Sequence, residues 1–390
     1  MSGDPIIRIA ARGDGVSAGG QHRAFAVPGD MILEDGTLVE GDGHQLPPCR
    51  HFPECGGCQL QHLTDAAFAD YCASRIAGAL GQHGLATEIR PAHLSPPRTR
   101  RRAALRALRA GGRVLIGFNA ARSHNIVDML ECHVLDPRLF ALVAPLRSLL
   151  GTMLAPKRSA DVQLTLTDQG VDVALKGVGT EGLEAVEALT AFCERTRLAR
   201  LTIDEGYGPE PRYEPKPVTI SLSGHPVAFP SGAFLQATAD GEAALVAAVR
   251  EAADGAKRPI DLFAGLGTFA LALDGEVTAA EAARDAVLAL MTTRRVATVH
   301  RDLYRRPFMT AELDAHDAIV LDPPRSGALE QVRQIAGSSV PRVAYVSCNP
   351  ATFARDAELL VAGGYVLDWV RPVGQFRWST HVELAGEFSR

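Results

Sequence analysis

Between residues 260 and 348, three short strand-like runs each lead into a tight turn, two of them through a polar residue. Ile260-Asp261-Leu262-Phe263 leads into a glycine loop, Ala315 to Leu321 leads into Asp322 and two prolines, and Val343 to Val346 leads into Ser347-Cys348. Helical stretches separate them. Strands alternating with helices build a parallel sheet, and such sheets gather their ligands at the carboxyl ends of the strands. Residues 226–390 are therefore expected to form a Rossmann-like α/β domain. Each polar residue that closes a strand becomes a candidate for chemistry.

The segment Asp261 to Leu273 predicts a strand, a glycine loop and an apolar helix. Gly265 and Gly267 would let a ligand approach the backbone without a Cβ in the way. The next strand, Glu276 to Ala280, closes on Glu281, an acid able to accept both hydroxyls of a ribose. The run Val299-His300-Arg301 closes on Asp302, which is fit for an adenine edge. Taken singly, each acid is equally well read as a surface carboxylate. In succession after three strands, they point to an adenosyl ligand.

The rest of the chain is organised differently. Its 390 residues exceed one typical domain, and 46% apolar content is ample for several cores. Residues 1–45 carry short apolar stretches between glycines and predict a small β-barrel-like segment. Residues 46–225 follow as a central α+β domain. Within it, Asp65 to Gly84 predicts a helix, and Ala160 to Gly179 predicts a strand pair turning at Asp168 to Gly170. Seven arginines, at 98, 100, 101, 102, 106, 109 and 113, crowd one stretch. Its Ala-Leu-Arg content favours helix, but Gly111-Gly112 ahead of Val114 to Phe118 favours a hairpin. The arginines read either as a solvated face or as a phosphate-contacting surface. The net charge of −5 excludes a generic polyanion binder, so any nucleic-acid surface must be local. No stretch approaches the roughly 20 apolar residues of a membrane span. Residues 1–12 lack a signal-peptide core, and a cytoplasmic protein is expected.

Seven cysteines are spread along the chain. In a cytosolic protein they read as metal ligands, nucleophiles or core residues rather than disulfides. Cys49, Cys55 and Cys58 stand in a C-x5-C-x2-C array, and three thiolates so close call for a fourth ligand. Spacing alone leaves a [4Fe–4S] cluster and tetrahedral zinc both open.

Five motifs occur in order: SGAFLQ at 231–236, DLFAGLGTF from Asp261, LDPPRSG at 321–327, SCNP at 347–350 and THVE at 380–383. Together they resemble the RNA 5-methyluridine (uracil-C5) methyltransferases. CRHFPECGGCQLQH, from Cys49, resembles the iron–sulfur branch that acts on 23S ribosomal RNA. The resemblance spans about Ile6 to Glu383 and is jointly specific, although no single motif is. It implies a class I fold dependent on S-adenosylmethionine, with a TRAM- or OB-like N-terminal segment. It places cofactor contacts at Gln236, Phe263, Thr268, Glu281 and Asp302, with Asp322 closing the set. It assigns Cys348 as nucleophile and Glu383 as base, and it adds Cys132 as the fourth ligand of a [4Fe–4S] cluster. The implied partner is ribosomal RNA, with transfer RNA the alternative, met by a monomer.

The chemistry agrees with the residue types. Carbon 5 of uracil becomes nucleophilic once a thiolate has added to carbon 6, and a base must then remove the carbon 5 proton. Free cysteines are commonly buried hydrophobes, so it is the SCNP setting that singles out Cys348. Two other readings stay open: an amine methyltransferase using the DPPR loop alone, and an RNA-binding factor that retains a cofactor fold. The chain departs from the family pattern in four places. Ala264 replaces a usual cysteine, Ala237 to Asp240 (ATAD) stands where an asparagine commonly follows the FLQ motif, Asp302 replaces a frequent asparagine, and the N-terminal segment is short.

Overall fold

In the computed structural model, which describes residues 3–390, the runs after residue 258 are strands of one sheet. In chain order they are β1 (Pro259–Leu262), β2 (Thr278–Glu281), β3 (Ala297–His300), β4 (Ala318–Leu321), β5 (Arg342–Ser347), β6 (Val366–Gly374) and β7 (Glu383–Ser389). They lie in the order β3-β2-β1-β4-β5-β7-β6. β1 to β5 are parallel, and β7 runs antiparallel between β5 and β6. All four residues of β1 and all four of β4 are buried, as expected for parallel strands covered on both faces. Leu262 pairs with Leu321, Leu321 with Tyr345, and Ser347 with Leu384. This register sets the loops after β1, β4 and β5 beside the start of β7.

The chain forms two compact units. The first takes Met1–Pro47, Gln59–Ser95 and Asp240–Arg390, and the second takes Pro48–Cys58 and Pro96–Ala239. These limits differ from the 45/46 and 225/226 boundaries read from the sequence. Gln59–Ser95 goes with the catalytic sheet because Glu88–Ile89 and His93–Leu94 pair in parallel with β6. Helix Asp65–Gln82, capped by Thr64, also sinks Phe68, Tyr71, Cys72, Ile76 and Leu80 into that core. Residues 226–239 go with the second unit because Arg101 donates from its backbone N to Ala237 O (2.8 Å) and from Nε to Gln236 O (3.0 Å).

The N-terminal part of the first unit is a five-stranded antiparallel sheet of short strands around Gly3–Ile9. Its strand path does not close among the described residues. The second unit holds a six-stranded mixed sheet, with helices Val143–Met153 and Leu183–Thr196 contributing to its core. Arg102–Ala110 and Arg113–Gly117 form the expected hairpin, paired from Ala110↔Arg113 to Arg106↔Gly117. Ser159–Thr167 and Gly170–Lys176 form another. One local expectation fails. The apolar stretch after the glycine loop is a run of turns with a single 3-10 turn at Ala270–Ala272, not an α-helix. Asp274-Gly275 ends the stretch before a second helical turn can form, and Gly275 has a positive φ of 89°. Among the described residues, no helix is long and apolar enough to cross a membrane.

Candidate active site

The part of the sheet edge that carries Glu281 and Asp302 is built on backbone amides. Glu281 closes β2. Its Oε1 accepts from Ala282 N (2.8 Å) and Ala283 N (2.7 Å), and its Oε2 accepts from Gly265 N (2.9 Å). Three amides thus fix the plane of the carboxylate and tie the glycine loop of β1 to the end of β2. Asp302, after β3, behaves similarly: Oδ1 accepts from Tyr304 N (3.0 Å) and Arg305 N (3.3 Å). Phe263 holds a left-handed φ of 64°, uncommon for an aromatic residue and typical of sites where the surroundings over-determine the backbone. Its ring lies 5.5 Å from that of Tyr304. Thr268 is half-buried in the same loop. Gly265 faces open space, as a ligand-facing glycine should. Gly267 serves packing instead, because a Cβ there would stand 2.6 Å from Leu290 Cδ1.

The chemical side is enclosed and acidic. Cys348 follows β5 and is half-buried. Burial pushes its thiol up to about 11; the charges of Glu383 and Asp322 push the same way and Arg325 opposes them. Enclosure by protein raises the Asp322 carboxyl well above the usual carboxylate range, with Glu383 and Asp261 adding to the effect. Glu383 is 5% exposed, rare for a glutamate. Asp261, fully buried within β1, is pushed up to about 8 by burial, against the hydrogen bond its Oδ2 accepts from Ala270 N (2.8 Å). The structure therefore brings Cys348, Glu383 and Asp322 together as one electrostatically coupled group.

The loops carrying these groups are cross-tied. Asn349 caps helix Pro350–Ala362 by accepting from Ala351 N, while its Nδ2 donates to Arg325 O (3.1 Å). Thr352 Oγ1 donates to the same carbonyl (3.3 Å). From behind, fully buried Asp356 accepts from Tyr345 OH (2.6 Å) and from Ala328 N (2.9 Å) on Oδ2, and from the Arg355 guanidinium on Oδ1. Gly327, at φ 78°, is required there: a Cβ would lie 2.7 Å from Asp356 Oδ2.

Gln236 falls in the second unit and is 2% exposed, whereas the other five cofactor candidates belong to the first. The arginine stretch is largely committed to the fold. Arg101 is buried, Arg106 pairs with Asp161, and Arg109 donates to Leu154 O (2.5 Å). Arg102 stacks over Phe234 at 4.4 Å, and that ring is 58% exposed. The solid arginine face that the sequence allowed is thus reduced to a few outward groups.

Cys49, Cys55, Cys58 and Cys132 all belong to the second unit. The Cys49 loop meets the segment before Cys132 through Arg50 N donating to Glu131 (2.6 Å) and Leu130 N donating to His51 (3.0 Å). Burial raises the Cys49, Cys55 and Cys132 thiols. Cys132 adds to the rise at both Cys49 and Cys55, and Arg100 feels Cys58 and Cys132. The donors suit an all-thiolate centre in kind. In position they do not yet fit one: among the described residues, no three His, Cys, Asp or Glu side chains converge to hold a metal ion.

No family model matches the chain. An uncharacterized RNA methyltransferase of Zymomonas mobilis is 49% identical over 99% of both chains. The 23S rRNA (uracil(1939)-C(5))-methyltransferase RlmD of Halomonas elongata is 32% identical, covering 86% of this chain and 75% of its own. The chain belongs to the RNA uracil-C5 methyltransferase family. It is an S-adenosylmethionine-dependent RNA methyltransferase of the class I α/β fold. The Pyrococcus abyssi tRNA (uracil-54, C5)-methyltransferase, solved with S-adenosyl-L-homocysteine, shares that fold. It superposes with a TM-score of 0.74 over 99% of this chain and 100% of its own, at 20% identity.

For this methyltransferase, sequence reasoning missed Asp356, Arg325 and Tyr304, and it did not see that Asp261 is a buried acid. Asp356 had a signal: it shares the buried face of its helix with Phe353, Ala357 and Leu360. An acid on an apolar face calls for partners.

Proposed function

We propose that the enzyme methylates carbon 5 of a uridine in RNA, with 23S ribosomal RNA as the substrate class, through a covalent Cys348 intermediate. The observation that carries this reading is the enclosure of Cys348 with Glu383 and Asp322 at the carboxyl edge of the sheet. Simple amine methylation has no use for a thiol at that position.

S-adenosylmethionine supplies an electrophilic methyl group when bound. Phe263, Thr268, Glu281 and Asp302 would hold its adenosine, and Gln236 is proposed as a further contact. Cys348, as the thiolate formed when its proton passes to solvent, adds to carbon 6 of a uracil extruded from its stack, which makes carbon 5 the nucleophile. Enclosure favours the protonated form of Asp322, which can donate a hydrogen bond to the enolate oxygen. Glu383 takes the carbon 5 proton after methylation. The bond from Cys348 to carbon 6 then breaks, restoring the thiolate and the uracil.

RNA containing 5-fluorouridine tests the mechanism, because fluorine cannot leave as a proton. With cofactor present, a methylated adduct should map to Cys348 by mass spectrometry. A pool of ribosomal RNA should form it and a pool of transfer RNA should not. Binding of both ligands without any adduct would sink the mechanism.

The second unit and the N-terminal strands are proposed as the RNA-holding parts, the latter as a short TRAM- or OB-like segment. The enzyme would act as a monomer on cytoplasmic RNA. Cys49, Cys55, Cys58 and Cys132 are proposed as ligands of a [4Fe–4S] cluster with a structural role. Because metal binding is coupled to folding, the thiols would draw inward on loading. Anaerobically purified protein should carry about four irons and four sulfides, and Cys132→Ser should lose them. Zinc or no metal in their place ends this part of the reading.

A further inference from the structure

Tyr304 stands on the loop after β3, between the adenosyl side and the chemical side of the sheet edge. Its backbone N is held by Asp302, and its ring lies beside that of Phe263. The phenol reaches 22 and 23 residues along the chain, into the loop after β4. It donates to Gly327 O (3.0 Å), which leaves its oxygen to accept from Ser326 Oγ (2.9 Å). One residue earlier in that loop, Arg325 O receives Asn349 Nδ2, and Asn349 follows Cys348 directly. A line of hydrogen bonds therefore runs from Asp302 through Tyr304 and the loop after β4 to the turn that carries the thiol, with the Phe263 ring packed beside its start. Tyr304 is nevertheless 47% exposed, so its ring is not simply part of the core. A planar base arriving beside Phe263 and Asp302 would meet this ring, and any shift of the ring would pull on Ser326 and Gly327.

We propose that Tyr304 is a positioning residue that couples cofactor occupancy to the placement of the Cys348 turn. This rests on the functional reading above and deepens it. The anchors behind the loop favour such a link. Asp356 and Arg355 fix Ala328 and Ser326 to helix Pro350–Ala362, so displacement at Gly327 is passed to the turn at the start of that helix rather than absorbed.

The test is Tyr304→Phe, which keeps the ring and removes both hydrogen bonds, with Ser326→Ala as a milder second variant. Three quantities are read: the affinity for S-adenosylhomocysteine by calorimetry, the rate of Cys348 alkylation by iodoacetamide with and without that ligand, and kcat against KM for the cofactor. In the unaltered enzyme, the ligand should change the alkylation rate by about fivefold or more. In Tyr304→Phe, affinity and KM should stay within about threefold, kcat should fall about tenfold, and the alkylation response should shrink below about twofold, as expected for the loss of one or two net hydrogen bonds. Ser326→Ala should move the same way by less. The coupling is overturned if the unaltered enzyme shows no response to the ligand. It is also overturned if Tyr304→Phe keeps the full response, or loses affinity alone and responds normally at saturation. Cys348→Ala, run in parallel, separates the two proposals: its activity decides the covalent mechanism, whatever Tyr304 does.

Discussion

Glu281, closing β2, and Asp302, after β3, have carboxylates already engaged by backbone amides, while Asp261 within β1, Asp322 after β4 and Glu383 at the start of β7 are enclosed and sense one another. The same side-chain chemistry is used in two ways along one sheet edge. Amide donors fix the direction of the carboxylate, which suits a group that must accept hydrogen bonds from a ligand. Enclosure and like charges disfavour ionisation, which suits groups that must hold and pass protons. Short loops with free N–H groups produce the first environment, and packed strand ends produce the second.

The sharpest separation of the two sides comes from Cys348→Ala. Methyl transfer should fall by about 10⁴-fold or more, as for other nucleophile removals. Affinity for S-adenosylhomocysteine should hold within about threefold, and a parallel loss of affinity would mean that the two sides are not distinct. Glu281→Gln should do the reverse. Replacing a charged acceptor by a neutral one should weaken S-adenosylhomocysteine binding by about 10- to 100-fold in calorimetry, with Cys348 alkylation in the free enzyme unchanged.

Asp261 tests the enclosed side through stability. Its folded value of about 8 lies above the ordinary 3.8, so the folded state keeps a proton that the unfolded chain has lost. Stability linked to Asp261 is therefore fullest below about pH 4 and declines as the pH rises toward 8. Urea titrations at pH 5 and pH 8 should show this decline in the unaltered enzyme and a flatter profile in Asp261→Asn, and parallel profiles would refute it. The smallest effect concerns the thiol. Alkylation of Cys348 in the free enzyme should rise with pH toward a midpoint near 11, because only the thiolate reacts. Glu383→Gln removes a neighbouring negative charge, so the midpoint should move down and the rate at pH 8 should rise a few-fold. An unchanged midpoint would mean that the two groups do not sense each other.

The contrast also explains what the sequence could and could not reveal. The placement of Glu281, Asp302, Asp322 and Cys348 at or just after strand ends was legible because short apolar runs closing on a polar residue are a local property. The two hairpins were legible because Gly111-Gly112 and Asp168 to Gly170 are turn chemistry, a local property. Asp356 and Tyr304 were not, because their roles depend on contacts between loops many residues apart. The limits of the compact units differ from the sequence reading for the same reason: strand pairing at Glu88–Ile89 is settled by β6, far along the chain. Gly267 was read as ligand-facing, and only the packing against Leu290 shows otherwise.

The discontinuous first unit has a consequence for biosynthesis. Thr87 Oγ1 donates to Leu367 O, 280 residues later, and Glu88–Ile89 pairs with the strand that contains it. At typical rates of elongation, helix Asp65–Gln82 leaves the ribosome on the order of 15–60 s before its partners exist. Through that interval Phe68, Ile76 and Leu80 have no finished core to enter, and a chaperone meeting the nascent chain would find them there. The sheet is continuous only with Glu383–Ser389 between β5 and β6, so the residue proposed to remove the last proton in the reaction sits on the strand of this sheet that comes last in chain order.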